Sequence, residues 1–315
     1  MYVNQIFELS MVLDSDSFYE VLNRTASLEE TGEGYIDRSP AAKGLMVLYR
    51  DSTYKKKIRL LVNSGMILSP DAQDPDGFLK KLDKRIGKYF GGKYQTDDFE
   101  LSGMVLTEDL DVCSRKNVAA YLKVLQRIGR VKGFSPAEYD CFKDGASFCL
   151  DGNSNGIGFR IYDLERMAAG HLKGTGSDLE GVLRAEVHLT KPKAVRNYAG
   201  CGSISSQIPV LLENCKDVFL DTFRKAVPYG DFYKKDKAAE IVQNRVGDRI
   251  LRRRMLRLLA LIPEKKSLYL AQKAMNCRNI EKVMEAFSEI NVSPVTISRR
   301  HGVKHLKNIY DYMPF

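Results

Sequence analysis

Residues 183–191, LRAEVHLTK, alternate aliphatic side chains with arginine, glutamate and histidine. In an extended chain, successive side chains point to opposite faces. Leu183, Ala185, Val187 and Leu189 then share one face, and Arg184, Glu186 and His188 project together from the other. A solvated sheet face accounts for such a pattern. So does a metal or phosphate site carried on a sheet, because residues two apart on one strand can reach the same ion.

The flanking sequence supplies the rest of a sheet. Residues 43–50 (KGLMVLYR) and 56–63 (KKIRLLVN) read as two strands joined as a hairpin across DSTYK. Residues 75–92 follow as a helix, with Phe78, Leu79, Leu82, Ile86 and Phe90 at helical spacing and glycines at the end. FELSGMVLT (99–107) is a further strand. The next helix starts at Ser114 as N-cap and carries Val118, Tyr121, Leu122 and Leu125 on one side. Residues 146–163 form a hairpin whose turn, 151–156, is dense in turn formers. Strands and hairpins interspersed with helices predict an α+β unit, a largely antiparallel sheet covered by helices on one face. Its open face would hold Arg160, Tyr162, Arg184, Glu186 and His188, a set suited to phosphodiester chemistry or phosphate binding.

Composition narrows the class. The chain has 315 residues, 44% hydrophobic and 28% charged, and no apolar run long enough to span a bilayer. The N-terminus reaches Glu8 quickly and lacks the basic region of a secretory signal, so a cytoplasmic location without membrane contact is expected. Six cysteines (113, 141, 149, 201, 215, 277) are scattered and read as reduced structural thiols. No phosphate-binding glycine loop, serine-hydrolase elbow or clustered zinc site is present. The net charge of +9 is unevenly placed: residues 234–315 hold 18 Lys and Arg against 8 Asp and Glu, whereas the first 233 residues are nearly balanced. A segregated basic module fits an anionic partner, most often nucleic acid.

That basic part reads as all-helical. GCGSISSQIP (200–209) serves as a linker between an α+β unit, 1–199, and a helical unit, 200–315. Residues 234–262 read as one amphipathic helix, with Ile241, Val242, Val246, Ile250, Leu251, Met255, Leu258 and Leu259 along a stripe and Pro263 stopping it. A helix over about 280–290 precedes a turn at Ser293 and Pro294 and a short helix over 295–301, the outline of a helix-turn-helix. Thr296, Arg299, Arg300 and Lys304 would face DNA there, together with Arg252, Arg253 and Arg254; Arg160 and Arg184 would hold nucleic acid on the sheet.

The order of these segments resembles the gene II/X-type rolling-circle replication initiators of filamentous phages and small plasmids. The residues that carry the resemblance are LDVCSRKNVAAYLKVL around Asp111, FRIYDLERM from Phe159, LRAEVHL from Leu183 and VSPVTISRRH from Val292. The resemblance implies a sheet of the ferredoxin-like, replication-initiator nuclease type. It also implies a DNA-nicking endonuclease whose tyrosine forms a 5′-phosphotyrosine at a replication origin, assisted by Mg²⁺ or Mn²⁺. Under it, Glu186, His188 and Asp111 are the metal ligands and Tyr198, beside Lys193 and Arg196, is the nucleophile, with Tyr229 and Tyr233 as alternatives. Origin DNA, single-stranded or melted, is the implied partner, with host replication proteins as further ones. Two other readings stay open. One is a non-catalytic DNA- or RNA-binding regulator of a mobile element, favoured because LSGMVLT lacks the arginine and aspartate the family places there. The other is a metal-independent RNA-processing nuclease using His188 as general acid or base.

Overall fold

A computed structural model describes residues 4–68, 74–136, 146–152, 156–171 and 179–313. Ten strands form one sheet: β1 (Asn4–Leu13), β2 (Leu28–Thr31), β3 (Gly34–Asp37), β4 (Leu45–Asp51), β5 (Lys56–Asn63), β6 (Glu100–Asp111), β7 (Phe134–Pro136), β8 (Ser147–Gly152), β9 (Ile157–Asp163) and β10 (Val182–Leu189). Their order is β2-β3-β4-β5-β1-β6-β10-β9-β8-β7, and every neighbouring pair is antiparallel. The α+β class and the hairpins at 45–63 and 147–163 are as the alternation predicts; the turn residues 153–155 lie outside the described residues.

The strand order contains a duplication that the sequence does not display. In the first half, β1 leads into α1 (Ser15–Asn23), four strands follow, and the last of them, β5, returns beside β1. In the second half, β6 leads into α4 (Arg115–Leu125), four strands follow, and β10 returns beside β6. The halves meet where β1 pairs antiparallel with β6. Each half closes with a pair of helices, α2 (Ser64–Ile67) and α3 (Pro75–Tyr89) in the first, α6 (Pro192–Ala199) and α7 (Ile204–Ala226) in the second. The second half adds α5 (Leu164–His171) between β9 and β10.

One face of the sheet forms the core. Leu183, Ala185 and Val187 have no exposed surface, and neither do Phe159, Ile161, Leu106 and Leu110 on the adjoining strands. The helices pack on this side through aromatic contacts: Phe18 of α1 on Tyr49, Phe78 of α3 on Phe7, and Phe223 of α7 on Phe159. Ser114 caps α4 as expected, its hydroxyl accepting from the Asn117 N–H at 3.2 Å. Helix α7 starts already at Ile204 and contains Pro209, so the linker is shorter than the composition suggests and α7 covers the sheet.

Beyond α7 come β11 (Phe232–Tyr233), α8 (Lys235–Arg245), α9 (Arg249–Lys265), α10 (Leu268–Met275), α11 (Ile280–Glu289) and β12 (His305–Leu306). The long helix expected over 234–262 is two helices. The chain leaves helical geometry at Val246, and the Asp248 carboxylate caps α9 by accepting from the Ile250 and Leu251 N–H groups. Pro263 does not stop α9, which runs to Lys265 with the proline in its last turn.

The helix-turn-helix does not form. α11 is present, but residues 295–301 are not helical: Val292 bridges to Asp231 and Ile297 to Lys234 in parallel fashion. Val295 and Ile297 are buried, and backbone pairing with residues 231–234 satisfies Ser293 and Ile297. Hydrophobic residues at alternate positions fit an inserted extended segment better than a surface helix.

Among the core-facing residues of β6 lies a carboxylate. Glu108 is 6% exposed, stands opposite Ala185, and its Oε1 has no hydrogen-bond partner among the described residues. Burial, and then the neighbouring Asp109 charge, raise its pKa to about 7. An acid whose folded pKa is raised holds a proton that the unfolded chain has already released. Stability therefore falls as pH rises from about 4.5 to about 7. Glu108→Gln is expected to remove this fall and to be more stable than wild type above pH 7, by up to about 3 kcal/mol, in urea unfolding at a series of pH values.

Candidate active site on the open sheet face

The pleat turns Arg184, Glu186 and His188 to the side that the helices leave uncovered. Register then decides their neighbours. Arg184 stands opposite Tyr162 on β9 and Asp109 on β6; Glu186 stands opposite Arg160 and Thr107; His188 stands opposite Gly158 and Val105. The result is a short hydrogen-bonded chain. The Tyr162 hydroxyl donates to Glu186 Oε1 at 2.7 Å, and Glu186 Oε2 lies 2.8 Å from His188 Nε2. Both the glutamate and the histidine side chains keep about a sixth of their surface exposed, 16% and 17%.

Charge is arranged around this chain. Arg184 binds Asp109 with two parallel bonds of 2.7 Å each, a bidentate geometry that holds the guanidinium beside Tyr162. Arg160, directly across from Glu186, has no ion-pair or hydrogen-bond partner among the described residues. Burial acts to raise the Glu186 pKa, but hydrogen bonds from His188 and Tyr162 and the Arg184 charge outweigh it and hold the carboxyl below its ordinary value. Burial and then the Glu186 charge push the Tyr162 phenol well above its ordinary value. The site thus contains an ionised carboxylate and, without a further partner among the described residues, the Nδ1 of an imidazole and a guanidinium.

Asp111 does not join this group. It pairs in register with Val182, four residues along the strand from the level of Glu186, a separation of about 13 Å. Its carboxylate instead accepts from the Cys113 N–H at 2.8 Å and shapes the turn into α4. With Asp109 engaged by Arg184, no cluster of three His, Cys, Asp or Glu side chains able to hold a metal occurs among the described residues. Glu186 and His188 are the protein ligands that remain there, and Mg²⁺ or Mn²⁺ held by them would complete its shell with water and substrate phosphate oxygens.

Tyr198 is held elsewhere. It lies at the end of α6, and its hydroxyl donates to Asp221 of α7 at 2.9 Å. α7 belongs to the helical layer, on the opposite side of the sheet from Glu186. Burial and then Asp221 push the Tyr198 phenol up to about 12, the reverse of the lowering expected from Lys193 and Arg196. Of the alternatives, Tyr233 donates to Asp231 and stacks on His305, and Tyr229 is exposed beside Tyr310.

The residues expected to meet DNA divide. Arg253, Arg254, Arg300 and Lys304 are exposed, whereas one guanidinium nitrogen of Arg252 donates to the Val246 carbonyl. Arg299 pairs with Asp236, and Thr296 is 1% exposed, which removes it from any contact with a ligand. Tyr162 lies on the face that its alternation with Phe159 and Ile161 predicts, whereas Asp109, which also shapes the site, does not stand out in the sequence as a member. The available signal is alternation in the partner strands, TEDLD and FRIYD, once their register against β10 is known.

No family model matches the sequence, and no curated protein matches it. Among solved structures, a rolling circle replication initiator protein from Geobacillus stearothermophilus aligns over 78% of this chain and 88% of its own, at 11% identity and a TM-score of 0.31. The di-domain ARO/CYC BexL from the BE-7585A biosynthetic pathway aligns over 70% of this chain and 95% of its own, at 11% identity and a TM-score of 0.25. Both TM-scores are too low to carry an argument about fold or activity. No helix among the described residues is long and apolar enough to cross a membrane.

The Tyr198–Asp221 bond yields a structural prediction. Tyr198→Phe is expected to cost about 1 kcal/mol of stability in wild type and nearly nothing in an Asp221→Asn background, a coupling read from a double-mutant cycle of urea denaturation.

Proposed function

We propose that the protein is a DNA-processing replication initiator that breaks a phosphodiester bond on the open face of its sheet. One observation carries this reading: the Tyr162–Glu186–His188 chain lies on the sheet face opposite the main helical layer, where Glu186 and His188 keep about a sixth of their side-chain surface exposed and Arg160, without a partner among the described residues, stands opposite the central carboxylate. Under this reading the attacking group is the Tyr162 hydroxyl, the tyrosine whose proton Glu186 already accepts, rather than Tyr198; Tyr162 is 4% exposed, so its attack requires local opening of the packing around it.

The proposed step balances without any further group. The Tyr162 oxygen attacks phosphorus as its proton passes to Glu186 Oε1. The bond from phosphorus to the leaving sugar oxygen breaks, and that oxygen takes a proton from His188 Nδ1 as Nε2 takes over the proton from Glu186. Arg160 faces the negative charge that builds on the phosphoryl oxygens. The product is a phosphotyrosine that conserves the bond energy for rejoining. The Mg²⁺ or Mn²⁺ implied by the family resemblance has no three-ligand set among the described residues, so no step is drawn through it. The hydrogen bond between Glu186 and His188 also suits a second reading, a metal-independent nuclease in which His188 and Glu186 activate water or a sugar hydroxyl.

The test is cleavage of single-stranded and supercoiled DNA, with divalent cation and with chelator, followed by mapping of any peptide left covalently attached to DNA. Glu186→Gln and His188→Ala are expected to lose about 10²–10⁴-fold in rate. Tyr162→Phe is expected to abolish the adduct and Tyr198→Phe to keep it. Cleavage without an adduct would support the second reading. Salt-sensitive binding with no cleavage of either DNA would sink both and leave a non-catalytic regulator.

A further inference from the structure

Helix α9 is built against the electrostatics of an isolated helix. Its first nine residues, RILRRRMLR, contain five arginines and no acid, at the end where the backbone dipole is positive. Arg249, Arg253 and Arg257 recur at four-residue steps, where like charges repel. The apolar side of α9, Met255, Leu258, Leu259 and Ile262, is buried against the other helices. Arg249, Arg253, Arg254 and Arg257 are all exposed.

None of these four has a hydrogen-bond or ion-pair partner among the described residues, and the nearby Asp248 carboxylate is occupied in capping. Two other exposed cations of the helical part are paired, Lys237 with Glu240 and Arg299 with Asp236. Between the arginines, Ile250 is 66% exposed, an apolar side chain facing water in the middle of a cationic strip.

We infer that this face of α9 docks on double-stranded DNA, with Arg249, Arg253, Arg254 and Arg257 on phosphates and Ile250 against the groove wall. This inference rests on the reading of the protein as a DNA-processing one and gives that reading its duplex-binding surface. Arg249, Arg253 and Arg257 extend over about 12 Å of the helix, enough to follow several phosphates of one strand. Polyanion binding relieves the repulsion that the free helix carries, and counterion release supplies the affinity. A B-form major groove admits an α-helix and offers thymine methyl groups to an aliphatic side chain. With no helix over residues 295–301, α9 takes the role the helix-turn-helix was expected to fill.

The experiment follows the anisotropy of a fluorescein-labelled DNA duplex with the full-length protein across a series of KCl concentrations. Arg253→Glu with Arg257→Glu is expected to weaken binding at least about tenfold and to lower the slope of log affinity against log salt by about 0.9 for each phosphate no longer neutralised. Arg253→Gln, which cannot introduce repulsion of its own, is expected to lower that slope by about 0.9, the effect of a single phosphate. Ile250→Ser is expected to weaken binding with the slope unchanged. Lys81→Glu with Lys84→Glu on α3 makes the same change in net charge. An equal loss of affinity in that variant overturns the inference, because the effect would then belong to total charge. So does retained duplex affinity in the α9 variants, or wild-type binding to phosphatidylserine vesicles with none to duplex. The cleavage assay separates the two ideas. Absent cleavage with α9-dependent duplex binding defeats the proposed activity alone, and cleavage with α9-independent binding defeats this inference alone.

Discussion

The pleat of β10 imposes a division on which the rest of the molecule depends. Leu183, Ala185 and Val187 lose all their exposed surface beneath the helices, each such burial contributing about 1–3 kcal/mol. A shift of one residue in register would turn these side chains to water and drive Arg184, Glu186 and His188 into the core. The functional residues are therefore presented together because their neighbours are hydrophobic. On that face Glu186 and His188 keep about a sixth of their side-chain surface exposed.

The duplicated topology gives this face a context. Two β-α-β-β-β-β units meet at the β1–β6 pair, and their returning strands, β5 and β10, occupy matching places. Their open faces carry different chemistry. β10 presents arginine, glutamate and histidine; β5 presents Lys57, Arg59 and Leu61, with Arg59 paired to Glu8 at 2.5 Å. One architecture thus occurs twice, and the hydrogen-bonded carboxylate and imidazole occur only in the second copy among the described residues.

Several elements were readable from local sequence. The period-2 alternation of 56–63 and 182–189, the Ser114 cap and the spacing of Phe78, Leu82 and Ile86 each report a backbone state through nearest-neighbour physics. β1 carries a shorter version of the same sign: Phe7, Leu9 and Met11 alternate with Glu8 and Ser10 and are buried, but its central place in the sheet is seen only in its pairing with β5 and β6. Residues 293–301 misled for a related reason. Ser-Pro followed by mixed polar and apolar residues satisfies the rules for a helix start, but burial of Val295 and Ile297 against residues 231–234 is a tertiary demand that local rules do not contain.

By itself the sequence determined the α+β class, the concentration of positive charge after residue 233, and the common face of Arg184, Glu186 and His188. Each follows from composition or from the two-residue period of a strand. Only the tertiary structure decided which residues share the site. Strand register brought Asp109 in, set Tyr162 within hydrogen-bond reach of Glu186 and left Asp111 about four residues away along the strand. Helix packing placed Tyr198 on the far side of the sheet, bound to Asp221. Pairing across strands and packing between layers join residues distant in the chain, and the periodicity of a single segment has no access to those distances.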